Sequence, residues 1–162
     1  MHKNSNESPG EKILQTWKKL QHKPFGKYLF SRSVGNIAPY TGSIKALITD
    51  LHPGYCQTYL KQRRSNMNHL NSIHAIALIN LGELTSGLAV LSGLSNDVRG
   101  ILTQLSMEYP KKSKGHLTAD CTCDIPEVVN ESLTHQVTTI IRNSDRETVA
   151  IGTFTWLLSK TQ

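Results

Sequence analysis

At 162 residues, with hydrophobic residues at 38% and charged residues at 19%, the chain has the size and balance of one compact domain with its own core. No apolar run is long enough for a membrane helix, the opening "MHKNSNESPGEK" has no apolar signal region, and three cysteines with Cys56 isolated give no disulfide framework. A cytoplasmic protein without a membrane partner is the expectation, and its net charge of +6 (18 basic against 12 acidic residues) admits an anionic ligand.

"SPGEKILQTWKKLQ" predicts a helix over about 9–22, with Ser8 as N-cap, Pro9 in the first turn and Glu11 closing a capping box. Ile13, Leu14, Trp17 and Leu20 share one face and lysines the other. Pro24 ends it. A second helix is predicted from Phe25 to about Gly35, anchored by Phe25, Tyr28 and Leu29. From Gly42 the period changes: "SIKALITDL" alternates Ile44, Ala46 and Ile48 with polar neighbours, as a half-buried strand does. Pro53 and Gly54 make a turn, and "YCQTYLKQRR" reads as the returning strand. A long apolar helix follows over about 72–92, closed by Gly93. "RGILTQLSMEY" is a strand with Ile101, Thr103, Leu105 and Met107 on one face. "PKKSKG" reads as a hairpin turn and "HLTADCTC" as the strand after it. "SLTHQVTTIIR", the turn "NSDR" and "TVAIGTFTWLL" complete six strands. The basic clusters "WKK", "KQRR" and "PKKSK" sit at element ends, where solvation explains them as readily as phosphate binding.

Six strands against one thoroughly apolar helix imply an α+β domain in which a sheet of mainly antiparallel strands curls around that helix. Residues 1–41 form an N-terminal helical extension and 42–162 the sheet domain.

Polar residues in the stretch "NHLNSIHAIALINLGE" (68–83) then need a reason. A lone Glu83 in an apolar helix costs several kcal/mol unless it finds a hydrogen-bond partner, a cation or a catalytic use. His74 alone reads as a capping or core histidine, and Asn68 alone as a turn residue. His74 and Glu83 are nine residues apart. At ~100° and ~1.5 Å per residue they fall on opposite faces, roughly 13 Å apart along the axis. They can converge on one small molecule only if two copies of the helix lie side by side in a symmetric dimer. The first amides of a buried helix also carry unpartnered N–H groups and the positive end of the dipole, which suits an oxyanion.

With Asn68, His74 and Glu83 in the spacing N-x5-H-x8-E, and with this element order from Gly42 to Leu158, the chain resembles the hotdog-fold acyl-CoA thioesterases of the phenylacetate-pathway and hydroxybenzoyl-CoA types. It also looks like an uncharacterised bacterial branch of them. The resemblance implies a curved sheet of about six strands around a central helix, a homodimer or homotetramer, and hydrolysis of an acyl thioester. It casts Glu83 as the carboxylate that activates water or attacks the thioester. Asn68 would orient nucleophile or substrate, and the Ala75 amide beside His74 would polarise the carbonyl. Coenzyme A would enter as part of the substrate, with no separate cofactor and no metal. The family's Gly-Gly is Ala75-Ile76 here, and its frequent hydroxyl four residues after the acid is Gly87, with Thr85 and Ser86 close by. Leu84, with Leu81 and Leu88, is a candidate acyl-pocket wall, and Arg63 and Arg64 are candidates for holding the nucleotide.

A hydratase or dehydratase on the same fold usually has a Gly/Pro-rich segment around its histidine, which "NSIHAIAL" lacks. A non-catalytic acyl-CoA-binding protein could dispense with Glu83. Cys121-x-Cys123 has no second ligand pair for zinc and reads as small core residues. Nucleic acid is not an expected partner, because charge alone would carry that reading.

Overall fold

The computed structural model describes residues 8–128 and 131–161. The expectation about the first seven residues lies outside them. The chain runs α1 (Pro9–Leu20), α2 (Gly26–Ile37), α3 (Pro39–Gly42), β1 (Leu47–His52), β2 (Tyr55–Lys61), a 3-10 turn (Arg64–Asn66), α4 (Ala75–Leu91), β3 (Val98–Glu108), β4 (His116–Thr122), β5 (Ser132–Asn143) and β6 (Thr148–Lys160). The strands form one antiparallel sheet in the order β1-β2-β4-β5-β6-β3. It curls around α4, the hotdog arrangement that the resemblance implied.

Burial around its whole circumference explains why α4 lacks an apolar stripe: twelve of its 17 residues are buried. Its buried hydroxyls are satisfied locally. Thr85 Oγ1 donates to Leu81 O and meets Thr58 Oγ1, each at 2.7 Å. Thr139 Oγ1 donates to Gly82 O. No helix is long and apolar enough to cross a membrane among the described residues.

Three local expectations change. The segment "PKKSKG" does not join paired strands: β3 pairs with β6, whereas β4 lies between β2 and β5. The connection is a crossover, pinned where the Ile73 amide donates to Ser113 O at 2.8 Å. In β3 the register shifts between Leu102 and Gln104, so a bulge at Thr103 turns Ile101 to the opposite face from Leu105 and Met107. In α2 the anchor is Phe30, buried at 1% exposure, whereas Phe25, Tyr28 and Leu29 are exposed. The cause is the turn before the helix. Phe25 has φ 58°, and Gly26 lies so near α1 that a Cβ there would sit 1.7 Å from Leu20 O. With Gly26 fixed against α1, Phe30 comes inward one turn later.

Trp17 of α1 meets Phe30 edge-on at 5.1 Å between ring centroids. Both belong to the same buried cluster as Leu84 and Leu88 of α4. The two N-terminal helices therefore share the sheet domain's core. Ser8 Oγ accepts from the Glu11 amide at 3.0 Å, the forward half of the expected capping box.

Candidate functional site

The loop before α4 is held by Asn68. Its Oδ1 accepts from the Leu70 amide (2.9 Å), the Ser72 amide (3.2 Å) and Ser72 Oγ (3.1 Å), while Nδ2 has no acceptor among the described residues. This brings the chain to His74, the N-cap of α4, whose Nδ1 accepts from the Ile76 amide at 3.1 Å. His74 O takes the amides of Ala77 and Leu78, and the His74 amide itself donates to Asn66 O. The Ala75 amide is thereby left without an acceptor among the described residues, at the positive end of a 17-residue helix. A developing oxyanion would find a free donor there.

Glu83 lies in the third turn and is half-buried. Its carboxylate has no hydrogen bond or ion pair among the described residues; the ion pairs there are Lys111–Glu147 and Arg142–Asp120. Ile76, Ile79 and Glu83 follow i, i+3, i+7 and form a stripe that the chain covers incompletely. Gly87 is buried one turn on, where a Cβ would come 3.1 Å from the Trp156 ring. The indole fills the space that a hydroxyl side chain would need. Thr85 and Ser86 do not replace that hydroxyl, since Thr85 is bonded in the core and Ser86 Oγ donates to Glu83 O at 3.2 Å.

Two cavities border α4. The larger, about 920 Å³, lies between α2–α3 and the β1–β2 edge, with Arg63 and Leu84 in its wall. Arg63 Nη1 donates to Ile44 O (3.3 Å) and Lys45 O (3.4 Å), while Arg64 is exposed and lines neither cavity. The smaller, about 220 Å³, includes His74, Ile76, Ala77 and Asn80. The structure thus brings His74, Arg63 and Leu84 to cavity walls. Within one chain it leaves Glu83, Asn68, Ala75 and Gly87 outside both. Leu81 and Leu88 are core residues.

Among the described residues no group of three His, Cys, Asp or Glu side chains could hold a metal ion. Of the cysteine pair, Cys121 is fully buried in the core and Cys123, half-buried, packs against it. The neighbouring Cys121, and then His135, lower the Cys123 thiol to about 6, while Cys123 and burial push Cys121 up. Alkylation of Cys123 by iodoacetamide should therefore rise through about pH 6 and level off below pH 8. A profile still climbing above pH 8 would contradict that environment.

The family pattern described as domain of unknown function DUF4442 matches residues 26–158. The chain belongs to the DUF4442 family. The matched stretch of this DUF4442 chain takes in α2 as well as the sheet and α4. No curated protein matches in sequence. Among solved structures, one from structural genomics is similar at TM-score 0.79 and 27% identity, covering 92% of this chain and 99% of the other. A Pseudomonas aeruginosa protein of unknown function, described as a probable thioesterase, is similar at TM-score 0.73 and 18% identity, covering 81% and 94%. A hypothetical thioesterase from Streptococcus pneumoniae, solved with coenzyme A, is similar at TM-score 0.66 and 22% identity, covering 79% and 98%. These likenesses bear out the hotdog fold.

Proposed function

We propose that this DUF4442 protein hydrolyses an acyl thioester, an acyl-CoA in the first instance, to the free acid and the thiol. The observation that carries the reading is the Glu83 carboxylate on the central helix of a hotdog fold, unpaired among the described residues, as the Ala75 amide also is. The solved relatives described as thioesterases, one of them holding coenzyme A, support the same substrate class.

In this reading Glu83 takes a proton from water, whose oxygen attacks the thioester carbon. The carbonyl oxygen gains the negative charge and is met by the Ala75 amide. Collapse breaks the C–S bond, and the proton held by Glu83 goes to the departing sulfur. Direct attack by Glu83, giving a mixed anhydride that water then opens, has the same overall balance. Asn68 Nδ2 is the group that could orient the water or the substrate.

One chain cannot assemble these parts, because Ala75 and Glu83 are eight residues apart, roughly 12 Å along the helix. A second copy can. The Ile76–Ile79–Glu83 stripe is incompletely covered, and edge strand β3 leaves Ile101 53% and Leu105 38% exposed. An edge of that length and apolarity calls for a cover. Two chains related by a twofold axis would cover both features and place Glu83 of one near the start of the other's α4.

Mixing tests the shared site. Asn68→Ala and Glu83→Gln protomers, each inactive alone, should regain part of the wild-type activity once exchanged, because one site in each heterodimer is intact. Confirmed exchange with no recovered activity would sink the two-subunit arrangement.

A further inference from the structure

The large cavity is ringed by cations that no described carboxylate neutralises. Arg32 of α2, Lys45 before β1, Lys61 at the end of β2 and Arg63 all line it, and no carboxylate does. None of the four belongs to an ion pair among the described residues. Like charges around one concave space focus a positive field, and an entering anion relieves their repulsion. The Tyr28 ring, 56% exposed, stands in the wall as a stacking surface. At about 920 Å³ the space is large enough for a nucleotide-sized ligand.

The smaller cavity adjoins it, since Ser43 lines both, and it reaches His74, beside the Ala75 amide that has no acceptor among the described residues. Asn80 lines this second space at 4% exposure. Its Nδ2 donates to Tyr40 O at 3.1 Å, which fixes Oδ1 as the remaining acceptor, and Oδ1 is buried without a partner. A buried unmet acceptor is unfavourable, so it favours a ligand that brings a donor.

We propose that the two cavities form one channel for coenzyme A, with the phosphorylated nucleotide among Arg32, Lys45, Lys61 and Arg63 and the pantetheine arm passing Ser43 so that one of its amide N–H groups donates to Asn80 Oδ1. The channel rests on the thioesterase reading for the identity of the substrate. It adds that the acyl group arrives on free coenzyme A, because a carrier protein's pantetheine arm brings no adenosine phosphates for the cationic chamber. Helices α2 and α3 supply one wall of this chamber, which gives that part of the extension a binding role.

The experiment measures binding and turnover separately. Adenosine 3′,5′-bisphosphate should bind the full-length protein by calorimetry, and the double variant Arg32→Ala/Lys45→Gly should weaken it at least about tenfold. Lys45 has φ 53°, which glycine adopts freely, and Arg32 is exposed, so the variant should fold. The same variant should raise KM for an acyl-CoA about tenfold more than for the matching acyl-pantetheine. Asn80→Ala should do the converse, raising KM for acyl-pantetheine about fivefold or more and affecting bisphosphate binding less. No bisphosphate binding to the wild type, or equal affinity in the double variant, would overturn the channel. Displacement of the bisphosphate by a fatty-acid carboxylate at equal concentration would also overturn it, by assigning the chamber to the acyl group. Bisphosphate binding without turnover of any thioester would leave the channel standing and reject the thioesterase reading.

Discussion

Glu83→Gln should lower thioester hydrolysis by roughly 10²-fold or more while leaving the protein folded. The substitution keeps the shape of the side chain and removes its ability to take a proton or attack a carbonyl. The fold should tolerate it, because the carboxylate makes no hydrogen bond or ion pair among the described residues that the amide would break. The loss should appear in kcat more than in KM, since the carboxylate acts on the reacting atoms and not on the nucleotide or the arm. Thermal unfolding run in parallel separates lost chemistry from lost structure. Turnover near wild type in a folded variant would remove Glu83 from the mechanism.

Trp17→Ala should destabilise the whole molecule by about 3–5 kcal/mol, a drop in Tm on the order of 10 °C for a chain of this size. Trp17 is 1% exposed, packs on Phe30 and belongs to the cluster that contains Leu84 and Leu88 of the central helix. Removing the indole opens a cavity between the extension and the main core that the helices cannot close without moving. Phe25→Ala is the control. That ring is 83% exposed, so its loss should change stability by no more than about 0.5 kcal/mol. Loss of helix signal in Trp17→Ala with the main transition unmoved would mean that α1 folds apart from the sheet domain.

The parts of this fold that were legible in the sequence are those set by local period. The apolar run 75–91 and the alternation in 132–143 and 148–160 each point to one kind of element whatever their neighbours do. What depended on distant partners was hidden. Strand β3 reads straight in the sequence, and only its pairing with β6 reveals the bulge at Thr103 that turns Ile101 outward. The run "PKKSKG" suits a hairpin, yet closing the sheet puts β4 between β2 and β5. Phe25 outranks Phe30 as an anchor until the left-handed turn at Phe25 is seen. The candidate site divides in the same way. Glu83 and the start of α4 stood out as polar features in an apolar stretch. Asn80 carried the same signal, but its orphan Oδ1 depends on Tyr40, forty residues earlier. The four cavity cations come from three separate segments, so only the "KQRR" cluster, which holds Lys61 and Arg63, announces any of them, and the adjacent Arg63 and Arg64 point to different surroundings.

The most direct measurement for the central claim is product formation by the unmodified protein from a panel of acyl-CoAs differing in chain length and shape. Thiol release should be catalytic for at least one member, with free acid appearing mole for mole and the carbon chain otherwise unchanged. Binding of the acyl-CoAs with no thiol released from any of them, or addition of water across the chain with the thioester intact, would contradict it.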